Sequence, residues 1–257
     1  MTERLAPFAP MLAAQTLSML RHLLRSPFYS IFSLVLPLIF WVFFGLPRAH
    51  HTIGGVDAGA YLLASFGAYA VANVMLFSFG IGIANERGRR EDVLMRATPL
   101  RPGVDLLARL LAAMAFGLAA VIVLSLFAWV TGGVRLDAGR WLVLVVRLLV
   151  GALPLLALGL AIGYLVSVNA VPAVVNLVGL PMFLASGLVV PLAELPYFIQ
   201  KIAPYLPTYR YAQLAWDAVG AHADPPAADL LWLVGYTVVF LAIVLRAYRV
   251  EESRKFR

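Results

Sequence analysis

Residues 110–134 read LLAAMAFGLAAVIVLSLFAWVTGGV and contain no charged side chain. Because a helix of about 20 apolar residues crosses the core of a bilayer, this stretch predicts a transmembrane span. The composition of the 257-residue chain agrees: 62% of its residues are hydrophobic and 13% are charged. Ordinary soluble domains carry about 25% charged residues. The sequence therefore predicts an all-α polytopic membrane protein.

Uncharged runs divide the chain into six predicted spans. The run 148–193 is long enough for two helices, and Asn169 and Pro172 supply a turn and a helix start in its middle. The last run, 230–245, is short and approaches spanning length through Ala227 and Ala228 at its start. The predicted spans are about 28–47, 59–85, 106–132, 141–167, 171–190 and 228–247, within one transmembrane domain, 1–257.

The distribution of basic residues predicts the orientation, since six spans place both termini on one side. Of the 20 Lys and Arg residues, 14 lie in the N-terminal segment, in 85–109 and in the C-terminal segment, and 6 lie in the opposite loops. The positive-inside rule therefore predicts cytoplasmic termini for a multi-pass protein of the cytoplasmic (inner) membrane. The start of the chain carries an acid and two prolines before any apolar run, so no signal peptide is expected.

Residues 11–25 mix leucines with Arg21, His22 and Arg25. This pattern favours a helix that lies in the cytoplasmic interface of the membrane. The alternative is a plain extension of the first span, which Ser26-Pro27 disfavours because the residue before a proline avoids helical geometry.

The segment 86–101 follows the second predicted span and is strongly charged. Glu86 and Arg90 stand four residues apart, as do Arg87 and Glu91, so each pair can meet along a short helix. We expect this helix to lie across the cytoplasmic membrane surface. A solvated connector that obeys the positive-inside rule would explain the same charges.

The segment 191–211 precedes the last predicted span and contains four prolines. Such a broken segment favours a re-entrant or interfacial hairpin, which is tolerated at membrane depth where protein or water satisfies its backbone. We predict that it forms an outer gate, whose residues are Pro191, Glu194, Pro196, Phe198 and Lys201. Anchoring of its tyrosines in an interfacial aromatic belt is the alternative.

Two loose motifs carry a family resemblance. Asn85-Glu-Arg-Gly followed by Ala97-Thr-Pro-Leu resembles the loop after the second helix in the permeases of type-2 ABC exporters. Ser186-Gly, Pro191-Leu and Ile202-Ala-Pro-Tyr-Leu-Pro resemble the same family's segment before its last helix. Residues 88–92 read Gly-Arg-Arg-Glu-Asp where members of the family often have Gly-Thr-Leu, so the exact docking register is left open.

The resemblance implies a membrane permease subunit that works with a separate ABC ATPase, present in two copies per complex. A second permease, either another copy of this chain or a paralogue, would complete the export pathway. The resemblance also implies that the segment after the second span docks on the ATPase, and the coupling residues predicted from it are Glu86, Arg87, Gly88, Arg90, Glu91 and Leu94.

The chain carries no G-x-x-x-x-G-K-[ST] phosphate-binding loop, and its only lysines are Lys201 and Lys255. We therefore expect no cofactor in this chain, with ATP and Mg on the partner subunit. There is no cysteine, and the four histidines lie outside the predicted spans, so neither a catalytic residue nor a metal site is expected. Basic residues do not follow a polar face, so nucleic acid is not an expected partner.

The predicted spans contain few polar groups, which favours a hydrophobic or amphipathic substrate such as a drug, a lipid or a lipid-linked glycan. An ion-coupled secondary carrier is the alternative, and it would need carboxylates at mid-membrane depth. A membrane-embedded enzyme is a further alternative. Arg147 is expected to snorkel to the outer interface, and Gly159 with Gly163 to mark a close helix contact.

Overall fold

A computed structural model describes residues 7–25, 27–53, 55–89, 102–221 and 225–255. These residues form helices and one short antiparallel hairpin, in which β1 Thr52–Ile53 pairs with β2 Val56–Asp57. The helices are α1 Phe8–Arg25, α2 Pro27–Phe40, α3 Ala58–Arg89, α4 Pro102–Gly132, α5 Ala138–Gly151, α6 Leu153–Leu165, α7 Val171–Ala185, α8 Tyr197–Ile202, α9 Pro207–Val219 and α10 Pro226–Lys255.

Five helical segments are long and apolar enough to cross a bilayer. They are Ala58–Arg89, Gly103–Gly132, Ala138–Leu165, Val168–Ala185 and Pro226–Arg249, and they match the second to sixth predicted spans. The first predicted span falls on α2, which continues through a π-helical turn, Trp41–Gly45, and a 3₁₀ turn, Leu46–Arg48. The helical membrane architecture is confirmed, while the count of six spans stays a prediction.

Helix α3 lies at the centre of the bundle and packs against α6, α4, α9, α7 and α2. Of its most apolar 18-residue stretch, 83% is buried, compared with 17% for α10. Small residues allow this central position, because three alanines of α3 are fully buried among neighbouring helices: Ala64, Ala68 and Ala72.

The contact between α3 and α6 is a backbone contact. A Cβ atom built on Gly159 would lie 2.5 Å from the carbonyl oxygen of Leu76, and one on Gly163 would lie 2.9 Å from that of Gly80. Only glycine permits backbones to approach this closely. The close helix contact predicted at Gly159 and Gly163 is therefore confirmed.

The β-hairpin leads directly into α3. The side chain of Asp57 accepts a hydrogen bond from the Ala60 N–H at 2.9 Å, which caps the first turn of α3. Trp41 lies nearby and donates from Nε1 to Thr131 Oγ1 at 2.9 Å, at the last turn of α4. We call this end of the bundle the hairpin end, and the opposite end, where Glu86 lies in the last turn of α3, the Glu86 end.

The predicted span 141–167 consists of two helices, α5 and α6, separated at Ala152. Pro154 lacks the N–H that would bond to the Val150 carbonyl, so the helical hydrogen bonding is interrupted there. The hydroxyl of Tyr211 donates to the carbonyl of Leu148 at 2.9 Å, beside this break. Tyr211 thereby attaches α9 beside the gap in backbone hydrogen bonding between α5 and α6.

Candidate functional site

Four side chains from three helices form a polar cluster at the Glu86 end. This Arg109 cluster comprises Gln15 of α1, Glu86 of α3, and Asp105 and Arg109 of α4. Arg109 Nη2 forms ion pairs with Glu86 and, at 3.0 Å, with Asp105. Gln15 Nε2 donates to Asp105 Oδ1 at 2.7 Å. The four-residue spacing of Asp105 and Arg109 places both on one face of α4.

Burial makes the Arg109 cluster a constraint on the positions of the helices. Arg109 is only 7% exposed, and a buried charge is tolerated when its partners remain in place. Separating α1 or α3 from α4 would remove one of those partners. The cluster therefore favours a single arrangement of the three helices.

The first residues of the predicted coupling segment are the last turn of α3, since α3 extends to Arg89. Glu86 does not stand on a separate surface helix; its carboxylate contacts Arg109 inside the bundle. Arg87 reaches α6, where Nη1 donates to the carbonyls of Gly163 at 2.5 Å and Val166 at 3.0 Å. These carbonyls lie at the C-terminal end of α6, where the last carbonyls of a helix have no N–H partner within the helix.

Gly88 packs against the turn that follows α6. A Cβ atom built on it would lie 3.0 Å from Cγ1 of Val168. The last turn of α3 is thus held by α4 through Glu86 and by the α6–α7 connection through Arg87 and Gly88. The other predicted coupling residues, Arg90, Glu91 and Leu94, lie outside the described residues.

The predicted outer-gate segment lies at the hairpin end. Glu194 ends a 3₁₀ turn that Pro191 precedes, and it forms a half-exposed ion pair with Arg48 at 3.5 Å. Pro196 precedes α8, whose Phe198 is 63% exposed. Lys201 lies 4.7 Å above the ring of Tyr197 in the same helix. The five predicted residues share a short stretch and do not converge on a buried site.

Helix α9 follows this segment and was missed by the sequence analysis. Ten of its residues are buried, and it packs against α10, α3 and α5. Pro207 begins the helix and Gly220, with φ of 96°, ends it. A proline at the first position and a glycine just past the end are ordinary helix signals that the density of prolines obscured.

Two ion pairs at α9 were also missed. Arg147 of α5 pairs with Asp217 of α9, a partner that the expected snorkelling to the outer interface did not include. Arg210 of α9 pairs at 3.1 Å with Asp229 of α10, which is 1% exposed. The partners stand 70 and 19 residues apart, so no helical spacing could have indicated either pair.

Among the described residues, no group of three or more His, Cys, Asp or Glu side chains could hold a metal ion. His50 and His51 lie in the turn between α2 and the β-hairpin. The ion pairs of Arg109, Arg147 and Arg210 join neighbouring helices instead.

Comparison with known proteins gives two findings. The family model of the ABC-2 type transporter matches residues 12–215. The chain is also similar to the "Putative transport permease YvfS" of Bacillus subtilis (strain 168), with 25% identity over 242 residues. That alignment covers 94% of this chain and 98% of the relative.

Proposed function

The chain belongs to the ABC-2 type transporter family, and from this premise we propose that it is the transmembrane subunit of an ATP-driven exporter. A separate ABC ATPase subunit, in two copies, binds ATP and Mg and supplies the energy. The exported substrate is hydrophobic or amphipathic. The permease functions with a second permease, either a copy of itself or a paralogue, in the cytoplasmic membrane.

The arrangement of the α3 and α4 ends carries the proposal. Residues 90–101 connect Arg89 to Pro102, so an ATPase that docks on them would act on the ends of α3 and α4. Glu86, one turn before Arg89, is paired with Arg109. Asp105, in the first turn of α4, is paired with Arg109 and with Gln15. A displacement of the connection would thereby reach α1, α3 and α4.

The second attachment extends this coupling to the rest of the bundle. Arg87 binds carbonyls at the end of α6, and α6 is in backbone contact with α3 at Gly159. We propose that α3 and α6 respond together, and that the end of the bundle carrying these contacts faces the cytoplasm. The basic residues concentrated at that end support this orientation.

Apolar surface supports the proposed substrate class. Large hydrophobic side chains of α4, α7 and α10 are exposed on the outside of the bundle, including Val130, Leu177 and Leu231. These surfaces are available to lipid, to a second permease, or to a substrate that moves between two permeases. We further propose that the outer-gate segment closes the pathway at the hairpin end.

The test requires the permease together with a candidate ATPase encoded beside it. We expect the two to co-purify and the complex to hydrolyse ATP faster in the presence of a hydrophobic substrate. The double variant Arg90→Glu with Glu91→Lys should weaken co-purification, because charge reversal at an interface costs several kcal/mol. Glu86 is left intact, since its change would break the Arg109 cluster.

Arg140→Glu is the matched control, because Arg140 is exposed at the hairpin end, opposite the end that carries Arg89 and Pro102. It should leave ATPase association unchanged. Full association and full transport by the double variant would exclude 90–101 as the docking segment. Failure of the wild-type permease to bind the ATPase would refute the exporter proposal.

A further inference from the structure

Residues 190–202, which carry the five predicted gate residues, lie on the outside of the hairpin end and contain no buried residue. The residues on either side are different, because Ser186 and Leu188 before the stretch and Ala203 after it are fully buried. A segment with few buried contacts can move separately from the body of a protein. We call residues 190–202 the strap.

Both ends of the strap are fixed to helices. Before it, the hydroxyl of Ser186 donates to a carbonyl of α7 at 3.0 Å. After it, Arg210 Nε donates to the carbonyl of Pro204 at 2.9 Å, and the hydroxyl of Tyr236 donates to that of Tyr205 at 2.7 Å. The strap is therefore a loop with two fixed ends and an exposed middle.

The middle of the strap is held together by bonds of its own. The side-chain amide of Gln200 donates to the Leu195 carbonyl at 2.7 Å, and Lys201 lies over the ring of Tyr197. Two prolines within the strap restrict its backbone further. Because these contacts lie inside the strap, it can move as one body without losing them.

Among the described residues, a single ion pair is the polar side-chain contact between the strap and the rest of the bundle. Glu194 pairs with Arg48 at 3.5 Å, and both side chains are partly exposed. Helix α8 also packs against α7. An exposed ion pair changes an equilibrium by about fivefold at most, so it can favour one position of the strap and still separate readily.

Arg48 belongs to a fixed part of the bundle. It ends the 3₁₀ turn that follows α2. Trp41, in the preceding π-helical turn, is fully buried and donates to Thr131 of α4. A Cβ atom built on Gly45 or Gly132 would lie within 2.8 Å of the Trp41 ring, so this turn is closely packed. Arg48 is therefore the stationary member of the pair.

We propose that the strap is a movable lid at the hairpin end, and that the ion pair between Arg48 and Glu194 is the latch that holds it closed. The strap moves away as one body when the pair separates and returns when the pair forms again. Because salt screens exposed charges, the lid opens more often at high ionic strength. The role of the lid in transport rests on the proposed outer gate, whereas its movement is a property of the permease alone.

The test measures the position of the strap in the purified full chain, without the ATPase, by pulsed electron paramagnetic resonance. The chain has no cysteine, so spin labels can be attached to chosen pairs of introduced cysteines. The measuring pair is Ala138→Cys with Phe198→Cys, since both residues are exposed and Phe198 lies in the strap. The reference pair is Ala138→Cys with Tyr205→Cys, because Tyr205 is exposed beyond the strap and its carbonyl is held by Tyr236.

We expect two populations of distances for the measuring pair and one for the reference pair. Arg48→Gln should raise the ratio of open to closed lid by up to about fivefold, and the charge swap Arg48→Glu with Glu194→Arg should restore it. Raising sodium chloride from about 0.05 M to about 0.5 M should favour the open lid in the parent and have little effect in Arg48→Gln. Arg135→Gln is the control, because it removes another exposed arginine of the hairpin end.

An unchanged ratio in Arg48→Gln, or an equal change in Arg135→Gln, would overturn the latch. A single distance population for the measuring pair under all conditions would show a fixed strap and overturn the lid. If the reference pair changed together with the measuring pair, the whole hairpin end would be moving, and the strap would not be a separate body.

A transport measurement separates the lid from its role as the outer gate. A bifunctional maleimide that joins Arg48→Cys to Glu194→Cys should hold the strap closed and abolish export by the complex, while the ATPase still co-purifies. The same reagent on either single variant should not abolish export. Undiminished export by the cross-linked complex, with lid movement seen by the spin labels, would refute the outer gate and support the lid and latch alone.

Discussion

Replacing Arg109 by Met is expected to destabilise the permease more than any change of an exposed charge. The substitution replaces the guanidinium with a shorter, uncharged thioether, leaving Glu86 and Asp105 without their shared cation. Their side chains are 21% and 11% exposed, so little solvent is available to compensate. Breaking a buried ion pair by removing one partner costs about 3–5 kcal/mol. The partial exposure of Glu86 places the expectation near the lower value, about 3 kcal/mol.

The companion change Glu86→Gln should be milder. Its amide still fills the same space, and Arg109 keeps its 3.0 Å contact with Asp105. We expect a loss of about 1.5–2 kcal/mol, the low end of the range for a hydrogen bond to a charged group, because the amide oxygen can still accept from Arg109. In the double variant the two losses should not add, and a coupling energy of at least about 1 kcal/mol would identify a direct interaction.

The free energy of unfolding would be measured by tryptophan fluorescence in mixed micelles with increasing sodium dodecyl sulfate, after reversibility has been established. Arg25→Met is the control, because Arg25 is exposed on α1. Surface substitutions usually lie within about 0.5 kcal/mol of the parent. If Arg109→Met stays within that range of the control, the Arg109 cluster does not hold α1, α3 and α4 together.

Other expectations concern packing, the outer segment and orientation. Gly159→Ala should lower the free energy of unfolding by about 1–3 kcal/mol, because its Cβ would meet a backbone oxygen at 2.5 Å. Gly235→Ala is the control, since a Cβ there has nothing within 4 Å, and it should be neutral or stabilising. Equal melting temperatures of the two variants would refute this. Glu194→Ala and Lys201→Ala should each change the free energy of unfolding by less than about 1 kcal/mol. Both should alter transport while ATPase binding stays intact. Normal transport by both variants would favour anchoring of the segment in the interfacial aromatic belt. In this cysteine-free chain, Ala138→Cys should react with an impermeant thiol reagent from outside the cell and Arg25→Cys should not; the reverse pattern would contradict the orientation.

The transmembrane helices were predictable because a bilayer acts on local composition. An uncharged run of about 20 residues is expected to be helical, and α4 follows that rule without reference to other helices. The end of α3 was not predictable in this way. It continues past 85 to Arg89 because Glu86 and Arg87 find partners on α4 and α6, and those partners are distant in sequence.

The candidate site was predictable only where its members are close in sequence. The four-residue spacing of Asp105 and Arg109 is a local signal of their pairing, whereas nothing near them in sequence indicates Glu86 or Gln15. The same holds for Arg147, which finds Asp217 across 70 residues. The docking roles of Arg90, Glu91 and Leu94 stay predictions.

The burial of α3 has a consequence for biogenesis. The chain is made from its N-terminus, so α3 enters the membrane before α4, α6, α7 and α9, which later cover it. Until Gly159 is synthesised, the groove around Leu76 and Gly80 has only lipid against it. A nascent chain stalled before α6 would therefore expose α3, a helix rich in alanine and glycine, without its partner helix. We expect this intermediate to be the form of the chain that quality-control proteases of the membrane recognise.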